Sequence, residues 1–346
     1  MPRKRALITG GSGYLGENLV KELIKREYEC SILDINAPTQ TFDEDVRFLK
    51  CDIRDLENVI KNTINQDIVF HNVAQVPLAK NKNLFDSVNV QGTKNIVEAC
   101  NLSECERIVF TSSSAVYGIP EKNPVNADTP TRPFEDYGKS KLEAEKLLQS
   151  NNTELKFSII RPRTILGNGR LGIFQILFEW IYSNKNVPVF DEGDNLYQFI
   201  HSEDLVRASV ECAEKGVDGV LNIGAKQYGT MRESLEALIA YAGSSSKIIS
   251  LPSKIIKPMM DIASFLRLSP LGSYHSNMYG KSIYFETERE EKLLNWKPKY
   301  SNDEMFIDSY KWYLRNRTEI LKNEIKSSSH KSKVKKGLLG VMEKIL

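Results

Sequence analysis

Residues 7–16 read LITGGSGYLG. An apolar run at 6–9 leads into this segment and a helical pattern at 15–26 leads out of it. Gly10, Gly13 and Gly16 recur at every third position. In such a loop the first glycine permits a tight turn, the second lets the backbone approach a pyrophosphate, and the third lets helix and strand pack closely. The anion then sits on the helix N-terminus, whose N–H groups have no partner within the helix. A strand before and a helix after are the context this fingerprint requires. Tyr14 and Leu15, at the start of the helix, complete the candidate cofactor contacts of the loop.

The rest of the chain keeps the same rhythm. Apolar, β-rich runs at 30–33, 47–51, 68–71, 107–112 and 157–161 alternate with helical patterns at 56–62, 85–101 and 137–149. Strands alternating with helices predict βαβ units and a doubly wound parallel sheet, an α/β fold. Strands buried on both faces lack polar alternation, as these do. After about residue 165 the rhythm loosens, with helices expected at 173–184, 202–215, 231–242 and 252–268. The expected organisation is a dinucleotide-binding domain over 1–165, to which 196–224 returns. Residues 166–195 and 225–315 are expected to form a smaller α/β substrate lobe, followed by a basic tail at 316–346.

Composition narrows the partners. Hydrophobic residues make up 41% and charged residues 27% of the 346, a balance that supports a buried core. A net charge of +2 implies no general affinity for polyanions, so no nucleic-acid partner is expected. The five cysteines (Cys30, Cys51, Cys100, Cys105, Cys212) show no metal spacing, and no metal is expected. With no signal peptide and no apolar run of roughly 18 residues, a cytoplasmic protein with reduced thiols is expected.

Asp34 ends the second strand, within SILDIN. A carboxylate there bonds the adenosine ribose diol and repels a 2′-phosphate, which favours NAD over NADP. Asp52 and Ile53, in KCDIRD, fall where an adenine edge would lie; Asp52 also suits an N-cap for the next helix. Further on, Tyr137 and Lys141 in YGKSK stand four apart and share a helical face. A free tyrosine ionises near about 10. A nearby ammonium, with the positive charge of an oxidised nicotinamide, favours the phenolate and makes a general base. Upstream, VFTSSSAVYG supplies Ser112, Ser113 and Ser114.

TGGSGYLG, Asp34, CDIRD, HNVAQ, NVQGT, SSSAVYG and YGKSK together resemble the extended short-chain dehydrogenases/reductases. More narrowly, the chain is similar to the NAD-dependent sugar-nucleotide epimerase/dehydratase group over roughly residues 4–315. The resemblance implies a Rossmann domain, a smaller C-terminal lobe, a tightly held NAD and a homodimer. It implies Tyr137 as catalytic acid/base, Lys141 as its modulator on the nicotinamide ribose, and Ser113, five residues before Gly118, as the catalytic hydroxyl. Ser112 is then expected on the nicotinamide side and Ser114 in the substrate cavity. Ala74 is expected beside the pyrophosphate and ribose, and Asn89 as a support of the active-site loops on the cofactor side. His71, at a strand end without a visible partner, reads as a packed histidine.

The first step implied by the resemblance is oxidation at C4 of a hexose by NAD, with Tyr137 taking the proton and Ser113 holding the oxygen. Dehydratases of the group carry Asp-Glu after the catalytic hydroxyl, and decarboxylases a glutamate at the second position. Here those positions are Ser114 and Ala115, which disfavours both reactions. Epimerisation needs no further acid. The substrate side departs from the group: Pro162-Arg163-Thr164 replaces Tyr-Phe-Asn, and Tyr197 replaces a diphosphate-binding arginine. Pro162 is expected on the cofactor side, Thr164 and Tyr197 on the substrate side. Arg163, Arg170 and Lys281 are candidates for phosphate contacts or for plain salt bridges. In the block NLYQFIHSEDL, Ser202 is the expected cap of the helix that follows.

Two apolar segments complete the reading. Residues 255–268 suit a core helix of the small lobe, or the wall of an apolar pocket. The tail carries KSSSHKSKVKK and then GLLGVMEKIL, with Leu338, Val341, Met342 and Ile345 on one helical face. It either frays or makes a peripheral contact with anionic lipid at the inner membrane face. The function expected is an NAD-dependent epimerase of a nucleotide-activated sugar, in surface polysaccharide biosynthesis. The alternative is an NAD-dependent dehydrogenase of a non-nucleotide alcohol, such as a lipid-linked sugar or a sterol-like substrate. Intact Ser113, Tyr137 and Lys141 weigh against a non-catalytic NAD-binding regulator.

Overall fold

Alternating apolar strands and amphipathic helices build the N-terminal half. The structure, a computed structural model, describes residues 3–42, 46–76, 82–170, 172, 174–265, 277–278 and 280–322, with 262–265 described by backbone alone. The chain begins β1 (Arg5–Thr9), α1 (Tyr14–Lys25), β2 (Glu29–Asp34), β3 (Arg47–Lys50), α2 (Leu56–Thr63) and β4 (Ile68–His71). A short α3 (Lys82–Leu84) runs through a π-helical turn at Phe85–Gln91 into α4 (Gly92–Asn101). Then come β5 (Arg107–Thr111), a 3₁₀ turn (Ser114–Tyr117), α5 (Asp136–Gln149) and β6 (Lys156–Pro162).

Among the described residues, seven strands form one sheet in the order β10-β6-β5-β4-β1-β2-β3. All its pairings are parallel. The strand order reverses between β1 and β4, and a crevice opens beyond their C-terminal ends, where ligands bind in such sheets. One apolar cluster packs each face. Leu19, Val20 and Leu23 of α1 lie with Ile8 and Ile32 on one side. Ile96 and Ala99 of α4 and Ala144 and Leu148 of α5 lie with Leu7 and Val69 on the other.

The second half contains short strands that the sequence pattern did not reveal. They are β7 (Thr164–Leu166), β8 (Val187–Phe190), β9 (Phe199–His201), β10 (Gly219–Ile223) and β11 (Ile248–Leu251). β7 pairs with β9, β8 with β11, and β10 extends the main sheet beside β6. The helices are α6 (Phe174–Tyr182), α7 (Ser202–Glu214), α8 (Met231–Ala242), α9 (Ser253–Phe265), α10 (Glu288–Leu294) and α11 (Asn302–Lys322). Phe178, Phe199, Phe306, Tyr310 and Tyr313 form the aromatic centre of a third cluster. Edge-to-face contacts such as Phe199 on Phe306, 5.2 Å between centroids, order it.

Three local expectations need correction. Asp55, not Asp52, caps α2: its side chain accepts from the Asn58 N–H at 3.2 Å. His201, not Ser202, caps α7, its Nδ1 accepting from the Glu203 N–H at 3.2 Å. The single helix expected at 85–101 is interrupted by the π turn, a feature often found at functional sites. The tail face at Leu338, Val341, Met342 and Ile345 lies outside the described residues, as does all of 266–276. No described helix is long and apolar enough to cross a membrane.

Candidate active site

The glycine loop crosses the crevice beyond β1. Gly10 has φ +67°, and a Cβ there would come within 2.9 Å of the Val73 backbone, which follows β4. A Cβ on Gly16 would stand 2.2 Å from the Gly10 carbonyl oxygen, so α1 could not pack this close with any side chain. Gly13 is the N-cap of α1 and brings no side-chain bond to it, which leaves the first-turn N–H groups to a ligand. The hydroxyl of Ser12 is buried in this loop without a partner among the described residues. Asp34, at the end of β2, accepts from the backbone N–H of Ser12 at 3.2 Å and of Asn36 at 3.1 Å. Burial pushes its carboxyl up, while those N–H groups oppose the shift. An open helix end, an unpartnered hydroxyl and a carboxylate at the β2 end fit a dinucleotide.

Around this loop the expected residues divide. Tyr14 is buried under Gly167 and Gly169, and burial pushes its phenol up to about 12. Leu15 packs against the core. Asp52 is ion-paired with Arg54, whose Nε donates at 2.9 Å. Ile53 is buried against Gly92, and its carbonyl accepts from Asn95 at 2.9 Å. Ala74 is half-buried in the loop after β4. Asn89 anchors that loop: its Oδ1 accepts from the Gln75 N–H at 2.7 Å, and its Nδ2 donates to the Gln75 carbonyl at 3.1 Å and to Ser140 at 2.9 Å. Both ends of the amide are thus committed within the chain, a supporting placement rather than a contact with cofactor.

Tyr137 lies in the first turn of α5. Glu135 caps that helix, accepting from the N–H groups of Tyr137 at 2.8 Å and Gly138 at 2.6 Å. The phenol faces Ser113, and the Phe85 ring stands edge-on, 6.2 Å between centroids. Ser113 caps the 3₁₀ turn, its Oγ accepting from the Ala115 N–H at 3.1 Å. Burial is the largest influence on Tyr137 and pushes it up to about 12; the Ser113 hydroxyl and the charge of Arg170 pull the other way. Lys141 is buried one turn on, its Nζ donating to the Thr111 carbonyl at 2.7 Å and lying 4.5 Å from the Phe110 ring centre. Burial lowers its ammonium to about 7. The expected lowering of Tyr137 by Lys141 is therefore corrected for the chain alone, where desolvation outweighs charge.

Ser112 follows β5 and precedes the serine cap of the 3₁₀ turn. Its hydroxyl donates to Glu145, away from the Ser113–Tyr137 pair. Glu145 receives the Arg161 fork, Nε at 2.9 Å and Nη2 at 2.5 Å. The sequence reading missed this buried pair. Glu145 is four residues beyond Lys141 on the same helical face, and Arg161 is a charge inside an apolar strand, so both carried a signal.

The substrate-side residues are only partly brought together. Pro162 is buried at the end of β6, opposite Ile223. Arg163 is buried, its Nη1 donating to Ser114 Oγ at 3.0 Å. Thr164 and Tyr197 share a hydroxyl–hydroxyl bond of 2.9 Å. Arg170 lies 5.7 Å from the Tyr14 ring centre and is held below its ordinary value by burial, against the charges of Tyr14 and Tyr137. Lys281 is exposed on the surface, with its charge felt by Asp191. His71 is packed as expected: Thr9 and Thr93 bond its two nitrogens at 2.7 and 2.9 Å, and burial lowers it to about 3.

A family model, "NAD dependent epimerase/dehydratase family", matches residues 6–224, which span the glycine loop, Ser113, Tyr137 and Lys141. The chain belongs to this family. Its cofactor is NAD, and it is an NAD-dependent enzyme of the short-chain dehydrogenase/reductase superfamily. It is 44% identical over 341 residues to an uncharacterized protein of Sinorhizobium fredii, covering 98% of this chain and 85% of that one. A UDP-glucose 4-epimerase of Lactobacillus helveticus is 26% identical, with 89% of this chain and 97% of that one covered. A human sterol-4-alpha-carboxylate 3-dehydrogenase, decarboxylating, is 33% identical over 61% of this chain; the match spans 58% of that protein. Among solved structures, the Bordetella bronchiseptica enzyme WbmG in complex with NAD matches with a TM-score of 0.74 at 20% identity. That match covers 91% of this chain and 95% of that one, and it shows the shared fold.

Proposed function

We propose that this family member is an NAD-dependent epimerase of a nucleotide-activated sugar, acting by transient oxidation at C4. The observation that carries it is Tyr137 facing Ser113, at a turn whose next residues, Ser114 and Ala115, offer no acid. The full-length likeness to a UDP-glucose 4-epimerase supports the substrate class.

When bound, NAD accepts a hydride from the carbinol carbon and returns it. The chain supplies the rest. The glycine loop would hold the pyrophosphate and Asp34 the adenosine ribose of the dinucleotide, and Asn89 fixes the loop after β4. Ser113 holds the substrate hydroxyl, and Tyr137 takes its proton and later gives it back. The Phe85 edge shields the phenol from water. With no carboxylate at positions 114 and 115, neither water nor carbon dioxide is expelled. The residues of the sugar side are Ser114, Arg163, Thr164, Arg170 and Tyr197. In this reading residues 1–165 with 196–224 carry the cofactor and the remainder to 315 the sugar. The enzyme works as a cytoplasmic homodimer in surface polysaccharide biosynthesis, with the tail beyond α11, rather than from 316, touching the inner membrane face.

The test is incubation of the purified enzyme, without added cofactor, with UDP-sugars, followed by NMR. Interconversion without net NADH is expected. Stoichiometric NADH release would instead support a dehydrogenase of a non-nucleotide alcohol. That second reading is favoured by Tyr197 in place of an arginine and by the likeness to a sterol dehydrogenase.

A further inference from the structure

Arg161 and Arg163 stand two residues apart at the end of β6, and both are buried, 4% and 1% exposed. Arg161 grips Glu145 with its Nε–Nη2 edge, at 2.9 and 2.5 Å, and donates through Nη1 to the Tyr117 hydroxyl at 2.7 Å. Arg163 donates through Nη1 to Ser114 Oγ at 3.0 Å. Its Nε and Nη2 have no hydrogen-bond partner among the described residues. No described carboxylate lies within ion-pair distance of it either. Its guanidinium is 4.8 Å from the Tyr197 ring centre and 5.6 Å from that of Phe285.

A buried charge without a counterion is costly, and one partner of a pair left alone is worse than no pair. Aromatic faces offset a part of that cost. The unpartnered edge is the one that binds a planar two-oxygen anion side-on, as Arg161 does two residues earlier. Ser114 adjoins Ser113, so the Nη1 bond ties this guanidinium to the turn that carries the proposed catalytic hydroxyl. We propose that Arg163 is a specificity-determining residue that receives a carboxylate of the substrate on its Nε–Nη2 edge, so that the sugar is an acidic, uronate-type one. A single guanidinium among aromatic rings matches one negative charge and a planar shape. A diphosphate is tetrahedral and carries more charge, and the position implied for a diphosphate-binding arginine is Tyr197.

The proposal rests on the nucleotide-sugar reading, and the test separates the two. NAD-loaded full-length enzyme is titrated calorimetrically with UDP-glucuronate and with UDP-glucose, which differ in a carboxylate against a hydroxymethyl group. The wild type binds the uronate at least about tenfold more tightly, as expected for a charged hydrogen bond gained. Arg163→Met loses that difference. Equal affinities in the wild type overturn the proposal and leave the nucleotide-sugar reading standing; binding of neither sugar overturns both. A second measurement needs no sugar. Arg163→Met should melt no lower than the wild type, because it removes a charge the ligand-free fold does not pair. A fall of several degrees makes Arg163 a structural element, or one satisfied by buried water, and overturns the proposal.

Discussion

Lys141 donates its ammonium to the Thr111 carbonyl at 2.7 Å, and that bond ties α5 to the end of β5 just before the serine turn. Tyr137, one helical turn earlier, faces Ser113, which draws it down, but burial pushes it up to about 12. The phenol of the chain alone is therefore protonated at neutral pH, and the charge of bound oxidised nicotinamide must bring it into range. Because the base form is the deprotonated one, kcat/KM should rise with pH up to the apparent value of the cofactor-loaded enzyme. Tyr137→Phe should lose roughly 10³-fold or more in turnover and lose that rising limb, while NADH fluorescence still reports cofactor binding. Retained turnover would remove Tyr137 as the base.

Asp34, at the end of β2, accepts from two backbone N–H groups, and the proposed function sets the adenosine ribose against it. Asp34→Ala should weaken NAD by about tenfold or more, the loss of a charged hydrogen bond, and should leave NADP unchanged or improved. Fluorescence titration with NADH and NADPH measures both. An unchanged ratio of the two affinities would remove Asp34 from cofactor selection.

Gly16 has no room for a methyl group: its Cβ would meet the Gly10 oxygen at 2.2 Å and the Gly11 Cα at 2.5 Å, both backbone atoms. Gly16→Ala should displace the loop from α1, lower the melting temperature and weaken NAD together. Wild-type affinity in a folded Gly16→Ala protein would contradict the close approach.

His71 is neutral in the fold, lowered to about 3 by burial and by Lys141, and ionises near 6.5 when unfolded. Below pH 6.5 the unfolded chain binds the extra proton, so stability falls as pH drops from about 6.5 toward 3. At about 1.4 kcal/mol per pH unit, the loss reaches roughly 4 kcal/mol at the acid end. Denaturant titrations from pH 7 to pH 4 should show the fall in the wild type and a shallower one in His71→Gln. Parallel curves would assign the acid sensitivity elsewhere.

Glu145 and Arg161 are a buried pair, with the Ser112 hydroxyl as a third member. Removing one charge strands the other: Glu145→Ala should cost about 3–5 kcal/mol. The double variant Glu145→Met with Arg161→Met should recover most of that cost. A double variant as unstable as the single one would mean the pair acts through more than its charges.

Much of the frame was legible in the residues. β4 at Ile68–His71 and α8 at Met231–Ala242 fall where the pattern put them, because apolar runs and helical periodicity are local properties. The same holds for Gly10, whose turn follows from its position between a strand and a helix. The strands β7 and β9, three residues each, left no such trace, since each is a strand only by pairing with the other. The destination of a hydroxyl was equally hidden. Ser112 and Ser113 are neighbours of one type, yet one turns to Glu145 and the other to Tyr137.

By itself the sequence determined the parallel α/β frame, the glycine loop with an aspartate at the end of the second strand, and the absence of an acid beside Ser113. Each follows from residue type at a fixed short spacing. Only the tertiary structure decided which charges are neutralised. Lys141 is buried and Arg170 half-buried, and both are held below their ordinary values by desolvation, which depends on everything packed around them. Two arginines of one short stretch, IIRPR, likewise meet opposite surroundings: Glu145 comes to Arg161 from a helix sixteen residues away, and no described carboxylate comes to Arg163. Pairing in a low-dielectric interior is set by three-dimensional proximity, and no spacing along the chain encodes it.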